Sequence, residues 1–185
     1  MLKIDRKYLN TENYFNYQLF YDMVAAKNYK TLVELGVWKG HSICYLADKL
    51  RNKDVNIYAV DLWDETYKYD DDPHLKYQKP HLYDIWKENV KDANLDGKIK
   101  DIKSITWEAA SKFEDNSVDF VFIDADHEYS SVIKDIDAWL PKIKIGGMLA
   151  GHDYFNPCRV KEAVDEKFGS KVKTYNYCWY VEKNI

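Results

Sequence analysis

Four ionisable side chains lie within five positions of one another, directly after the apolar run from Phe120 to Ile123. They are Asp124, Asp126, His127 and Glu128. A histidine near its unperturbed pKa of about 6.5 can act as a general base at neutral pH. Carboxylates are the hard oxygen ligands that divalent cations prefer. The alternative is that these acids cap a helix beginning near Tyr129 and stabilise its positive end.

A second polar pair, His152 and Asp153, follows a glycine-rich apolar run. Helix capping explains one or two acids of the first group, but it does not explain this pair. If both runs are parallel strands, their carboxyl ends meet at the same edge of a sheet, where ligands of open α/β sheets bind. The two groups together therefore predict a site.

Short apolar, β-branched or aromatic runs predict the strands that position these residues. They span 31–37, 56–63, 98–105, 118–124 and 146–153, and 172–183 predicts one or two further strands. Several runs lack polar alternation, which is typical of strands covered on both faces of a parallel sheet.

Apolar stripes with helical spacing separate these strands. They are Ile43, Leu46, Ala47 and Leu50; Val132, Ile136, Trp139, Leu140 and Ile143; and Val160, Ala163, Val164 and Phe168. Residues 14–24 predict a further helix within an N-terminal helical segment, 1–30. We therefore predict an α/β fold with one domain, 1–185, built on a doubly wound, mostly parallel seven-stranded sheet with helices on both faces.

Residues 64–90 interrupt the alternation with three consecutive aspartates, two prolines and several tyrosines before a helix resumes near His81. A long connection of this kind is either a functional lid or a mobile, solvated loop. We predict a substrate lid and keep the acidic connection as the alternative.

The turn after the first predicted strand is rich in glycine. In VELGVWKGHS, Glu34 lies in the strand, Gly36 and Gly40 lie in the turn, and Ser42 lies where the next helix begins. The turn matches neither the dinucleotide nor the P-loop glycine pattern. Asp61 ends the second strand about 20 residues later, where a carboxylate can bind both ribose hydroxyls. A nucleoside ligand without a pyrophosphate fits this combination.

The E-x-G-x-x-x-G turn and the strand-ending acid resemble the S-adenosylmethionine site of class I methyltransferases. Residues 31–168 resemble the small-molecule O-methyltransferase group with the macrocin-type and aminocoumarin sugar methyltransferases, above all at residues 123–154. The resemblance implies a set of cofactor-binding candidates. On the methionine side they are Glu34, Gly36, Gly40, Ser42 and Asp124. Asp61 is the candidate for the ribose. The candidates for the adenine are Ser104, Ile105 and Trp107. The alternatives are a capping or ion-paired acid at Glu34 and a core aromatic at Trp107; Trp38 and Trp63 could wall the pocket or cover it.

The resemblance also implies that Asp124 and Asp153 hold a magnesium ion, with a third ligand at His152, where several relatives carry an acid. Imidazole suits manganese or zinc better than magnesium, so a manganese ion is the alternative. Methyl transfer to a hydroxyl requires a base, and we assign His127 to this role with Asp126 as the alternative.

These residues predict an S-adenosylmethionine-dependent O-methyltransferase that acts, with metal assistance, on a small hydroxylated acceptor such as a sugar or a glycosylated metabolite. The alternative is a catalytically silent module that binds the cofactor and a partner. A nicotinamide-dependent oxidoreductase is disfavoured because the second glycine of G-x-G-x-x-G is missing.

The composition of the whole chain argues against some classes of partner and indicates a cellular compartment. A net charge of −4 and a pI of about 5.7 argue against nucleic acid or an acidic membrane as the main partner. The sequence contains no apolar run of signal-peptide or membrane-spanning length, so we expect a cytoplasmic protein. Cys44, Cys158 and Cys178 show no C-x-x-C spacing and are expected to be reduced. A homodimer formed through the aromatic N-terminal helix is a further expectation.

Overall fold

The computed structural model of the protein describes residues 17–63, 82–155 and 159–184. Seven strands form one sheet in this part of the chain. They are β1 (Thr31–Leu35), β2 (Asn56–Asp61), β3 (Ile99–Lys103), β4 (Val118–Ile123), β5 (Ile143–Gly151), β6 (Lys173–Tyr175) and β7 (Cys178–Glu182). The helices are α1 (Gln18–Ala25), α2 (His41–Lys49), α3 (Leu82–Asp92), α4 (Thr106–Ala109), α5 (Tyr129–Trp139) and α6 (Val160–Phe168).

The sheet has the order β3-β2-β1-β4-β5-β7-β6. Strands β1 to β5 are parallel, whereas β7 runs antiparallel to both β5 and β6. The predicted doubly wound, mostly parallel seven-stranded sheet is therefore confirmed. The strand order reverses between β1 and β4, and this is the place where open α/β sheets bind their ligands.

Apolar side chains leave the two faces of the sheet alternately and form two cores. On one face, Leu32 of β1 and Phe120 and Phe122 of β4 pack with α1, α2 and α3. On the other face, Val33 of β1 and Val121 of β4 pack with α5 and α6. Burial on both faces explains why these strands lack polar alternation.

Three predicted boundaries around α5 and β5 are wrong. The second helical stripe was expected to continue through Leu140 to Ile143, but α5 ends at Trp139, a short 3-10 turn covers Leu140–Lys142, and Ile143 begins β5. Strand β5 therefore starts three residues before the predicted 146 and ends at Gly151 rather than at 153. Ile143 is buried in either arrangement, so its apolar character could not distinguish a helix from a strand.

The segment predicted as a lid, 64–90, lies only partly within the described residues. Residues 64–81 lie outside them, whereas 82–90 belong to α3, whose Leu82, Trp86 and Val90 are buried in the core. Of the N-terminal segment, 1–16 also lies outside the described residues, and α1 occupies part of the predicted 14–24 helix.

Within the described ranges, the longest helices are α3 and α5, with 11 residues each. None of the helices in these ranges has the length and apolar character that crossing a membrane requires.

Candidate active site

The turn after β1 lies directly against the end of β4. Gly36 has a φ of +79°, and a Cβ atom at this position would lie 2.2 Å from the carbonyl oxygen of Asp124 and 2.4 Å from the Cα of Ala125. The Asp124 N–H also donates to the Leu35 carbonyl at 2.9 Å. Only glycine allows this close approach of two backbones. The turn proposed for the cofactor and the acidic cluster after β4 are therefore immediate neighbours.

Gly40 joins this turn to α2 and lies against a side chain of α3. Its φ is +82°, and a Cβ atom here would lie 2.5 Å from Cδ1 of Trp86. The indole of Trp86 therefore packs over the start of α2, which fixes the far end of the turn. Both glycines of the motif are thus explained by close packing as well as by their backbone conformation.

Glu34 is buried beneath the turn and held by two hydroxyl groups. The Tyr21 hydroxyl of α1 donates to its Oε2 at 2.6 Å, and the Ser42 hydroxyl of α2 donates to its Oε1. Burial raises the pKa of Glu34 to about 8, although these two hydrogen bonds act in the opposite direction. Glu34 and Ser42 therefore form one unit at the base of the turn, and their predicted contact with a cofactor stays a prediction.

Asp61 ends β2 and accepts hydrogen bonds from two turns. The backbone N–H groups of Trp38 and Trp63 donate to its two oxygens, each at 2.8 Å. Burial raises the pKa of Asp61, and the backbone N–H groups oppose this rise. The backbone N–H groups of Val37 and Leu62 also lower this pKa, so Asp61 is held mainly by backbone donors and its contact with ribose hydroxyls stays a prediction.

The residues predicted for adenine follow β3 beside Asp61. The Ser104 N–H donates to the Asp61 carbonyl at 3.0 Å, which places the two strand ends together. Ile105 and Trp107 are half-buried at the start of α4. The Lys134 ammonium lies 4.7 Å from the centre of the Trp107 ring. Half-burial leaves Trp107 partly accessible rather than wholly a core residue.

The two predicted polar groups converge at the ends of β4 and β5. Nε2 of His127 lies 3.0 Å from Oδ2 of Asp153 and 3.7 Å from Oδ1 of Asp124. Nδ1 of His152 lies 3.2 Å from Oδ1 of Asp153. Asp153 has a φ of 59°, an uncommon conformation for a residue other than glycine and one that occurs at functional sites.

This cluster has a donor set that fits a divalent cation. One ligand atom each from Asp124, His152 and Asp153 lies within 4.8 Å of the others. His152 is 8% exposed, and its buried Nε2 has no hydrogen-bond partner among the described residues. Two carboxylates and one imidazole suit manganese or zinc better than magnesium, which prefers an oxygen and water environment.

His127 lies between the two carboxylates, and its charge state follows from this position. Asp124 and Asp153 raise the pKa of His127 to about 10, although burial acts in the opposite direction. With both carboxylates ionised, His127 is therefore an imidazolium at neutral pH. A base role requires that the charge of these carboxylates is first offset, as a bound cation would do.

Both carboxylate oxygens of Asp126, the alternative base, accept hydrogen bonds from nearby residues. Its Oδ1 accepts the Glu128 N–H at 3.1 Å, and its Oδ2 accepts the Ser131 hydroxyl at 2.7 Å. These contacts link Asp126 to Glu128, the residue before α5, and to Ser131 in its first turn, whereas the N-cap residue Glu128 makes no side-chain capping hydrogen bond. Asp126 therefore has a structural role whether or not it takes part in chemistry.

The sequence did not indicate two contacts that support the site. Tyr21 lies in the predicted N-terminal helix, but nothing local in the sequence pointed to its hydrogen bond with Glu34. Likewise Trp63 donates its indole N–H to the Trp38 carbonyl at 3.0 Å, a contact between the ends of two strands.

Comparisons with known proteins identify the family and the fold of this chain. A family model described as a methyltransferase domain matches residues 33–154. An Arabidopsis thaliana protein, named provisionally as a caffeoyl-CoA O-methyltransferase, is 28% identical over 128 residues, or 69% of this chain. The chain spans about half the length of this curated relative, since the match covers 48% of that protein.

Solved structures show the same fold at low sequence identity. The O-methyltransferase NovP superposes with a TM-score of 0.70 at 19% identity, and the match covers 92% of this chain and 78% of NovP. An O-methyltransferase from Bacillus cereus, solved in complex with SAH, superposes with a TM-score of 0.62 at 17% identity, covering 90% of this chain and 80% of that one.

Proposed function

Because this chain belongs to the methyltransferase domain family, we propose that it is an S-adenosylmethionine-dependent O-methyltransferase acting on a hydroxyl group of a small molecule. The family match confirms the predicted resemblance to class I methyltransferases. A sugar or a glycosylated metabolite is our first candidate for the acceptor. The same geometry also admits an aromatic molecule with neighbouring hydroxyls.

The observation that carries this proposal is the contact between Gly36 and the backbone of Asp124 and Ala125. It brings the turn after β1 against the loop that carries His127. A ligand lying on this turn therefore has the acid and imidazole groups at its side. Such closeness is what transfer between a bound donor and an acceptor requires.

The cofactor candidates supply complementary contacts. Gly36 and Gly40 shape the turn for the methionine end, Asp61 is the candidate for the ribose hydroxyls, and Ser104, whose N–H donates to the Asp61 carbonyl, and Trp107 are the candidates for the adenine. When bound, S-adenosylmethionine supplies an electrophilic methyl group on its sulfonium. The SAH bound to the Bacillus cereus protein supports this class of cofactor.

We assign acceptor activation to the cluster after β4 and β5. His127 would take the proton of the acceptor hydroxyl once the charge of Asp124 and Asp153 is offset, so that the oxygen could displace S-adenosylhomocysteine from the methyl carbon that the cofactor supplies. Asp124, His152 and Asp153 would hold the divalent cation. When bound, such a cation lowers the pKa of a coordinated hydroxyl. His152 makes manganese the first candidate.

Calorimetry with S-adenosylmethionine, followed by an assay of released S-adenosylhomocysteine over a panel of acceptors, tests the proposal. The panel contains sugar nucleotides, glycosylated metabolites and catechols, each with magnesium or manganese. We expect binding and turnover by the wild-type protein. Asp153→Ala should abolish turnover while the cofactor still binds.

The matched control is Asp137→Asn on α5, whose side chain is 57% exposed and pairs with Lys167. This variant should retain full turnover. Cofactor binding without turnover on any acceptor would favour the silent binding module instead. Unchanged turnover of Asp153→Ala would remove the metal role and leave the methyltransferase assignment in place.

A further inference from the structure

Two tryptophans at the ends of neighbouring strands have unusual backbone conformations. Trp38, after β1, has a φ of 47°, and Trp63, after β2, has a φ of 41°. Bulky side chains seldom adopt positive φ, and such residues persist only where their surroundings hold them. The described residues around them therefore have to supply specific restraints.

Asp61 supplies the first of these restraints. Its two oxygens accept the backbone N–H groups of Trp38 and Trp63 at 2.8 Å. The Trp63 indole N–H also donates to the Trp38 carbonyl at 3.0 Å. The ends of β1 and β2 are thus linked through both the backbone and a side chain.

Helix α3 supplies the second restraint. The Trp63 indole is 1% exposed and packs on Trp86 and Tyr83, with ring centroids 4.8 and 5.1 Å away. The buried Asn89 of the same helix donates its side-chain amide to the Lys39 carbonyl at 2.9 Å. Two consecutive carbonyls of the turn, at 38 and 39, therefore each accept a hydrogen bond from a buried side chain.

We propose that Trp63 and Asn89 are positioning residues that pre-organise the glycine turn for the amino-acid end of the cofactor. This inference rests on the proposed function. A turn that is already fixed in its binding conformation loses less conformational entropy when the ligand binds. The two side chains act through the Trp38 and Lys39 carbonyls, so they set affinity without contacting the reacting atoms.

The proposal predicts different effects on the binding of the amino-acid end and of the adenosine end of the ligand. The restrained carbonyls lie between Gly36 and Gly40, on the methionine side, whereas the adenosine candidates follow β2 and β3. Loosening the turn should therefore weaken the binding of S-adenosylhomocysteine, which carries the amino-acid chain. It should leave 5′-methylthioadenosine, which lacks that chain, nearly unchanged.

Trp63→Phe tests this proposal by removing the indole N–H while keeping an aromatic ring in the core. Calorimetry should show S-adenosylhomocysteine binding weakened by roughly 5- to 30-fold, as the loss of one buried hydrogen bond implies. The affinity for 5′-methylthioadenosine should change by less than about 3-fold. Asn89→Leu removes the second donor and should give the same pattern, which protects the test if one variant fails to fold.

The matched control is Trp179→Phe. Trp179 of β7 is fully buried in the core on the other face of the sheet, and its indole N–H has no hydrogen-bond partner among the described residues. This variant loses a similar volume without losing a hydrogen bond, so both affinities should change by less than about 3-fold. The positioning role would be overturned if Trp63→Phe weakened the binding of both ligands equally, or if Trp63→Phe and Trp179→Phe had equal effects. If the wild-type protein binds neither ligand, the proposed function itself fails.

Discussion

Asp135 lies on the buried side of α5, and its replacement by asparagine should stabilise the protein at alkaline pH. The side chain is fully buried, and neither oxygen makes a well-formed hydrogen bond with the described residues. Burial raises the pKa of Asp135 to about 7, the charge of Asp126 adds to this rise, and the Thr106 side chain opposes it. Ionisation in the folded state is therefore unfavourable.

The size of the effect follows from the shift between the unfolded and folded states. The pKa rises from 3.8 to about 7, and each unit corresponds to about 1.4 kcal/mol. Because the folded pKa is the higher one, the stability is fully present below about pH 3.8 and is lost as the pH rises through 7. The wild-type protein should lose about 2–3 kcal/mol relative to Asp135→Asn between pH 5 and pH 8.

Urea unfolding of both proteins at pH 5, 6, 7 and 8 measures this difference directly. Asp137→Asn is the control, because it makes the same change on the same helix at an exposed position. Its difference from wild type should stay within about 0.5 kcal/mol at every pH. If Asp135→Asn followed the pH dependence of the wild-type protein, Asp135 would be charged in the folded state and our reasoning on its burial would be wrong.

Three further substitutions, with Gly97→Ala as a control for the first, test other contacts. Gly36→Ala should destabilise the protein by more than about 3 kcal/mol in urea unfolding, because the added Cβ would meet backbone atoms. The control, Gly97→Ala, has a similar φ of +73° but open space around the added Cβ, so it should destabilise the protein by only about 1–2 kcal/mol. Tyr21→Phe should lower the free energy of unfolding by about 1–3 kcal/mol and raise the pKa of Glu34 further. The loss of stability should therefore be larger at pH 9 than at pH 6.5, and an equal loss at the two pH values would contradict a hydrogen bond from Tyr21 to Glu34. His127→Gln should lower the release of S-adenosylhomocysteine by about 10²-fold or more at an unchanged cofactor affinity, and half-retained turnover would exclude it as the base.

Much of the fold and of the candidate site follows from local patterns in the sequence. Apolar runs without alternation predicted the five parallel strands, and the polar residues directly after them, Asp61, Asp124 and Asp153, predicted which edge of the sheet would carry chemistry. The positions of Gly36 and Gly40 predicted a turn that a ligand could approach. The predicted parallel strands are confirmed, and strand direction alone places their carboxyl ends together, whereas the chemistry at this edge and the ligand at the turn stay predictions.

The sequence by itself therefore determined the sheet, its helices and the edge at which the polar residues collect, since hydrophobic periodicity and turn chemistry act over a few neighbouring residues. Only the tertiary structure decided how those residues pair. It placed His127 between two carboxylates, Tyr21 on Glu34, and the Trp63 indole on the Trp38 carbonyl. These contacts join residues from different elements, so their distances and burial, and with them the pKa of each group, arise only when the chain packs.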